Sequence, residues 1–262
     1  MNFDKNDLLK SVPHEHKIAI SSILDKISLS EKINKTIYCD FYDQYQQNII
    51  EIMFKKINGE YVLFGGYDDA ERKILILYPD SERPDLANIP ISLIDIIYST
   101  NFGQSISHRD VLGTIISKGI KREKIGDILI NEGRAQVLAT SEVCDYLSYN
   151  IEKINNVKVK VNIKDLSKII LPEIKFKLIN ATVASLRLDC ILEAGFGISR
   201  SNASDLINSE NVFVNSAKVA KPSVNVKEGD IISARKFGRI IFETINGKTK
   251  KDRFSVSIKR LI

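Results

Sequence analysis

Residues 187–239 constrain this chain more than any others, because helix breaks and strand turns follow one another there at short intervals. Leu188, Ile191 and Leu192 recur at helical spacing, and Gly195 and Gly197 then end the helix. Ser199 is placed to cap a second helix, whose apolar face is Ala203, Leu206 and Ile207. The run Val212-Phe213-Val214 predicts a strand, Asn215-Ser216 a turn, and the residues to Val219 a return strand. Lys221-Pro222 and Gly229-Asp230 mark further turns, and Ile231-Ile232 reads as a closing strand. Two short helices followed by a small, strongly turned sheet are expected.

That order of residues resembles the S4 RNA-binding domain. The matching elements are Arg187-Leu188-Asp189, Ser199-Arg200, Ala203, Leu206-Ile207, Val212-Phe213-Val214-Asn215, Lys221-Pro222-Ser223 and Gly229-Asp230. Two places depart from the pattern. Ser216 stands where the family usually has Gly, and Ser209-Glu210-Asn211 replaces the usual Gly before the strand. A type I′ turn favours Gly, so a different turn is expected in that hairpin. In S4 modules the two-helix face and adjoining hairpin grip structured RNA. The resemblance therefore implies RNA contacts at Arg187, Leu188, Ser199, Arg200, Ser204, Asn215, Lys218 and Lys221. Arg235, Lys236 and Arg239 would extend the strip. Asp189 is expected to orient Arg187 or cap its helix rather than to do chemistry.

Charge points the same way. The net charge of +5 divides unevenly: residues 181–262 hold 14 Lys/Arg against 8 Asp/Glu, and the first 180 hold 24 against 25. A basic module favours a polyanion, and phosphate backbones are the commonest candidate. The three cysteines, Cys39, Cys144 and Cys190, lie far apart without CxxC spacing, and the three histidines complete no ligand set. His14 and His16 are two apart, not the four apart that a metalloprotease helix needs. No cofactor or metal is expected. With no apolar leader after Met1 and no run long enough to span a bilayer, a cytoplasmic protein without membrane insertion is expected.

Ahead of the basic module, residues 1–35 read as helical and 36–78 as strand-rich. Gly65-Gly66 belongs to no phosphate-loop spacing, so close packing or a turn accounts for it better. The next segment has a clear rhythm. It predicts a strand over 92–99, a helix over 108–118, strands over 127–131 and 135–139, a helix over 141–153 and a strand over 157–163. That is the βαββαβ order of the ferredoxin-like or RRM-like sandwich. An RNA-binding RRM stacks bases on aromatics of its central strands. Here one of those strands has none and the other has Tyr98 alone. Lys121, Arg122 and Lys124 form a compact cationic loop suited to phosphates. His108-Arg109-Asp110 is not a kinase loop, because Ile115 stands where the metal-binding Asn belongs.

Together His108-Arg109-Asp110, residues 119–127, and the stretch from Gly65-Gly66-Tyr67 to Glu71-Arg72, set ahead of an S4 module, resemble the YlmH family. The resemblance implies an RNA-binding factor of the ribosome, linked to rescue of stalled large subunits carrying peptidyl-tRNA. It also implies a neighbourhood among cell-division genes. The expected architecture is α+β: an N-terminal α/β module (1–75), an RRM-like domain (76–170), a linker (171–180) and an S4 domain (181–262). The expected partners are large-subunit rRNA and tRNA on the ribosome, with a division protein as an alternative, and a monomer is expected. Catalysis is disfavoured. Leu186-Arg187-Leu188-Asp189 lacks the Gly and Thr that frame a pseudouridine synthase Asp, and no nucleotide loop of a methyltransferase follows a strand.

Overall fold

The run Lys73-Ile74-Leu75-Ile76-Leu77 sends apolar side chains both ways, as a strand does when both its faces are buried. The computed structural model describes every residue except 1–2, 11, 58, 80, 82, 86–87, 101–104 and 174. In it, this strand (β3, Lys73–Leu77) is the centre of an antiparallel sheet with β1 (Ile37–Tyr42) and β2 (Tyr61–Phe64). A short α1 (Lys5–Lys10) precedes the two helices that cover one face, α2 (Lys17–Ile33) and α3 (Gln44–Ile57). Leu75 and Leu77 pack there with Ile20, Leu24 and Ile50. Ile74 and Ile76 point the other way and, with Phe41, cover Leu93, Leu129 and Leu138. The boundary expected between 75 and 76 therefore falls inside β3, and the two modules share a core.

The segment that follows is β4 (Ile91–Tyr98), α4 (His108–Ser117), β5 (Ile125–Asn131), β6 (Arg134–Thr140), α5 (Ser141–Asn150), β7 (Lys153–Ile154) and β8 (Val157–Lys164). Its antiparallel sheet runs β5-β6-β4-β8-β7, which is the strand order of the expected RRM-like sandwich with a two-residue strand added. His108-Arg109-Asp110 proves to be a helix start. Ser107 and Asp110 form a reciprocal capping box, and hydrogen bonds from Ser107 hold the Asp110 carboxyl down to about 2. Ile94, Ile96, Val137 and Ala139 face the helices, and Tyr98 lies on that side too, in the core. On the opposite face Leu93, Leu129 and Leu138 are closed off by the first sheet, together with Leu166 and Ile169. Part of the face where an RRM would stack bases is thus interior.

The chain divides into two compact units, residues 1–172 and 173–262. The second contains β9 (Phe176–Val183), α6 (Leu188–Phe196), α7 (Arg200–Asn208), β10 (Val212–Val214), β11 (Ala217–Lys218), β12 (Ile231–Ala234), β13 (Gly238–Lys248) and β14 (Phe254–Leu261). They form one sheet, β11-β10-β12-β13-β14-β9. Residues 176–180, expected in a linker, are part of β9, which pairs with β14 along its whole length. Leu188, Ile191 and Leu192 of α6 pack on Ile240, Phe242, Val256 and Ile258. Gly195 lets the helix approach closely, since a Cβ there would lie 2.6 Å from Ile240 Cδ1.

The two departures from the S4 pattern keep the backbone that glycine would take. Asn215 and Ser216 have φ of 48° and 65°, so the β10–β11 turn is type I′ after all. Glu210, at φ 56°, ends α7 in a Schellman motif: its N–H donates to Ile207 O and that of Asn211 to Leu206 O, each at 3.0 Å.

Candidate nucleic-acid interface

The second unit's two helices start side by side around one carboxylate. Arg187 is the N-cap of α6, and Arg200 opens α7 after Ser199, whose Oγ accepts the Asn202 N–H at 3.2 Å. Asp189, in the first turn of α6, has a side chain only 3% exposed, where a lone charge would be costly. It is not alone. Arg187 grips it with both ends of its fork, Nε to Oδ1 at 3.1 Å and Nη2 to Oδ2 at 2.9 Å. Arg200 Nε donates to Oδ2 from the other side at 3.1 Å, and the Cys190 N–H donates to Oδ1 at 3.0 Å. Burial opposes ionisation, but these hydrogen bonds and the two guanidinium charges outweigh it and hold the Asp189 carboxyl below its ordinary value. The arginines themselves remain 37% and 51% exposed, so each presents unused N–H donors outward. The clasp fixes two cations at a surface.

The Lys221 turn is brought to the same place by backbone bonds. The N–H groups of Leu188 and Asp189, orphan donors at the start of α6, are taken by Val224 O at 2.8 Å and Pro222 O at 3.3 Å. Lys221 is exposed beside this crossing. Arg235 and Lys236 are exposed in the β12–β13 turn, Arg239 is half-buried opposite Ser233, and exposed Lys218 lies 3.3 Å from Glu210. Ser204 is half-buried on α7.

Three expectations are corrected or narrowed by the geometry. Leu188, the first residue of α6, is fully buried in the core, so its side chain serves packing and is not presented at the surface. Asn215 spends its side chain on the turn, donating to Asp230 Oδ1 at 2.9 Å and accepting from the Ile231 N–H at 3.0 Å. In the middle-module loop, two of three cations turn inward. Arg122 donates to Ile125 O at 2.6 Å, and burial together with the neighbouring Arg72 guanidinium lowers it to about 10. Lys124 bridges Asp40 at 2.6 Å and Glu142 at 2.7 Å. Lys121 is the exposed one, 4.0 Å from Glu123.

Sequence reasoning missed Arg253. It lies immediately before β14, donates to Thr182 O at 2.9 Å, and lines a cleft of about 380 Å³ together with Arg200, Glu193 and Cys190. The signal is weak in the sequence, because nothing local to Arg253 shows that β9, whose residues 176–180 fall in the expected linker, pairs with β14.

Known proteins resemble both units of the chain. The family described as "Putative RNA-binding domain in YlmH" matches residues 84–168, and the S4 domain matches 186–232. The chain is 30% identical over 255 residues to ribosome-associated protein quality control protein P2 of Bacillus subtilis (strain 168), covering 97% of this chain and 99% of that protein. It is 39% identical over 61 residues to small ribosomal subunit protein uS4 of Thermosipho africanus, covering 23% and 29%. The solved structure of cell division protein ylmH from Streptococcus pneumoniae is similar with a TM-score of 0.52 at 26% identity, covering 60% of this chain and 96% of that one. The likeness to the ribosomal protein is confined to one short stretch, while that to the Bacillus protein runs nearly end to end, so the chain belongs to the YlmH family of S4-containing RNA-binding proteins.

Proposed function

We propose that this protein docks on structured RNA of the large ribosomal subunit through its S4 face, and acts there in quality control of stalled peptidyl-tRNA complexes. The observation that carries the reading is the Asp189 clasp, which aims Arg187 and Arg200 outward from two adjacent helix starts. Arg can fork onto two phosphate oxygens or stack on a base, which suits folded RNA read by shape. The name of the Bacillus relative supports the ribosomal setting. Docking requires no chemistry. The buried Cys39 and Cys144 thiols are pushed up to about 11 by burial, the opposite of what a nucleophile needs. On this reading the protein is a cytoplasmic, non-enzymatic monomer that needs no cofactor. Lys121 is the loop cation available for a second contact, and two tethered weak sites bind more tightly than either alone.

The test is co-sedimentation with separated ribosomal subunits at two salt concentrations. Wild type is compared with Arg187→Glu/Arg200→Glu and with Arg235→Glu/Lys236→Glu, whose exposed positions leave the fold intact. Salt-sensitive pelleting with the large subunit, reduced in both variants, is expected. Equal pelleting of all three moves the contact off the S4 face. The name of the Streptococcus relative favours a second reading, a division-protein partner. Absence of wild-type pelleting, with retained capture of a division protein, would select it.

A further inference from the structure

The sheet face of the middle module is closed over Leu93, Leu129 and Leu138, and its remaining part is basic. On β8 the residues Lys158, Lys160, Asn162 and Lys164 share that face, because residues two apart on a strand point the same way. Register sets Lys160 opposite Ile97, Asn162 opposite Asp95 and Lys164 opposite Leu93 on β4. Arg134 of β6 stands opposite Ile97 from the other side, and Lys153 of β7 opposite Lys158. Five cations thus share this region with one carboxylate, Asp95. The nearest acids in sequence are Asp165, which directly follows Lys164 and accepts the Ser167 N–H at 2.8 Å, Glu132 in the β5–β6 turn and Glu152 just before β7.

Asp95 is built into the sheet as Asp189 is built into its helix. It is fully buried, with Arg134 Nε 3.3 Å from Oδ1 and Lys164 Nζ 2.7 Å from Oδ2, while those cations stay 31% and 35% exposed. The Gln136 amide donates to Oδ1 at 3.3 Å and accepts the Ile170 N–H at 2.7 Å, bracing the carboxylate from the covered side. Oδ2 accepts no well-aligned hydrogen bond and meets the Lys164 ammonium alone among the described residues. Lys158 and Lys160 are exposed and make no ion pair among the described residues. They are about 6.6 Å apart along the strand, close to the spacing of consecutive phosphates on one strand of nucleic acid. Ile97 stands between Lys160 and Arg134, and among the described residues these paired positions carry no ring on which a base could stack.

We propose that Lys158, Lys160, Arg134 and Lys164 form a phosphate-binding surface for structured RNA, held in shape by the buried Asp95. It rests on the RNA-binding reading above and adds a second site, reached through the backbone of the RNA and not through its bases. The experiment uses the full chain and a fluorescently labelled RNA stem–loop, with affinity measured across a series of salt concentrations. Lys158→Glu/Lys160→Glu should lower the slope of log affinity against log salt by about two and raise Kd on the order of 30-fold at 0.15 M salt. Lys55→Glu/Lys56→Glu makes the same charge change on exposed positions of α3 and should leave the slope intact. If the two double variants share one slope and agree in Kd within about twofold, the site is overturned while RNA binding stands. If wild type binds no RNA, the proposed function falls with it. Unchanged stem–loop binding but lost capture on intact ribosomes would overturn the phosphate assignment in favour of an acidic protein surface.

Discussion

At Asp189 one carboxylate serves two arginines from different helices, and its value depends on staying ionised. Asp189→Asn keeps the shape but removes the charge and one acceptor, leaving both guanidinium groups without their counter-charge. A loss of about 1–3 kcal/mol is expected in urea unfolding at pH 7. The pH dependence follows from the sign of the shift. The folded pKa of Asp189 lies below its ordinary value, so its contribution is complete above that value and is lost as pH falls through the lowered one. The stability gap between wild type and Asp189→Asn should therefore narrow below about pH 4. A gap that persists unchanged in acid would mean the charge does not matter. The same scale holds a simpler prediction. Ser216 carries a side chain at φ 65°, which glycine tolerates freely. Ser216→Gly should stabilise by about 0.5–1 kcal/mol, and a thermal melt that fails to rise would show that Ser216 makes a compensating contact.

The β2–β3 loop behaves as an element in its own right, with a polar anchor at Asp127 on β5. Asp127 accepts the Tyr67 hydroxyl and the Glu71 N–H at 2.7 Å each, and the Arg72 N–H at 2.9 Å. Arg72 then reaches on to Ile125 O and Phe41 O, each at 3.0 Å, so the loop ties β1 and β5 together. Asp127→Ala strands three donors and should cost about 3 kcal/mol by chemical denaturation. Glycines on either side of this anchor divide sharply. Gly66 has φ 97° and a Cβ there would lie 2.2 Å from Leu138 Cδ2, whereas a Cβ at Gly113 in α4 meets nothing within 4 Å. Gly66→Ala should destabilise and Gly113→Ala should stabilise by about 1 kcal/mol; equal effects would undo this account. Much of this was legible in the sequence. Gly65-Gly66 reads as close packing and a turn because no phosphate-loop spacing follows, and the alternating lysines of Val157-Lys158-Val159-Lys160 announce a half-buried strand. What was not legible depends on distant partners. The strand β9 looks like a linker until β14, some 77 positions on in the Asn180–Ser257 pair, supplies its hydrogen bonds. Arg122 and Lys124 look solvated until Ile125 O, Asp40 and Glu142 are seen to claim them. Local pattern fixes the element, but it does not say what lies across from it.

For the whole molecule, the question is which pieces can stand alone. The core around Leu188, Phe242 and Ile258 draws only on residues of 173–262 among the described residues, and β9 closes its sheet. A fragment of 173–262 should therefore fold, melt cooperatively and keep the Arg187–Asp189–Arg200 clasp. One beginning at 181 should not, since it deletes five residues of β9 and bares the β14 edge along that stretch. The middle module is the opposite case. Cut out as 76–172 it would lose part of β3, and with it Ile74, as well as Phe41, which help cover Leu93, Leu129 and Leu138. Three large apolar side chains bared on one sheet face are worth roughly 5–9 kcal/mol of burial, comparable to the entire stability of a small domain. That fragment should aggregate or remain partly unfolded, while 1–172 folds. The comparison is made by circular dichroism and size-exclusion chromatography on the four fragments. A monomeric, cooperatively folding 76–172 would mean that its sheet face tolerates water. In that case the N-terminal module would be a removable cover, and the whole face, apolar patch included, would be open to RNA.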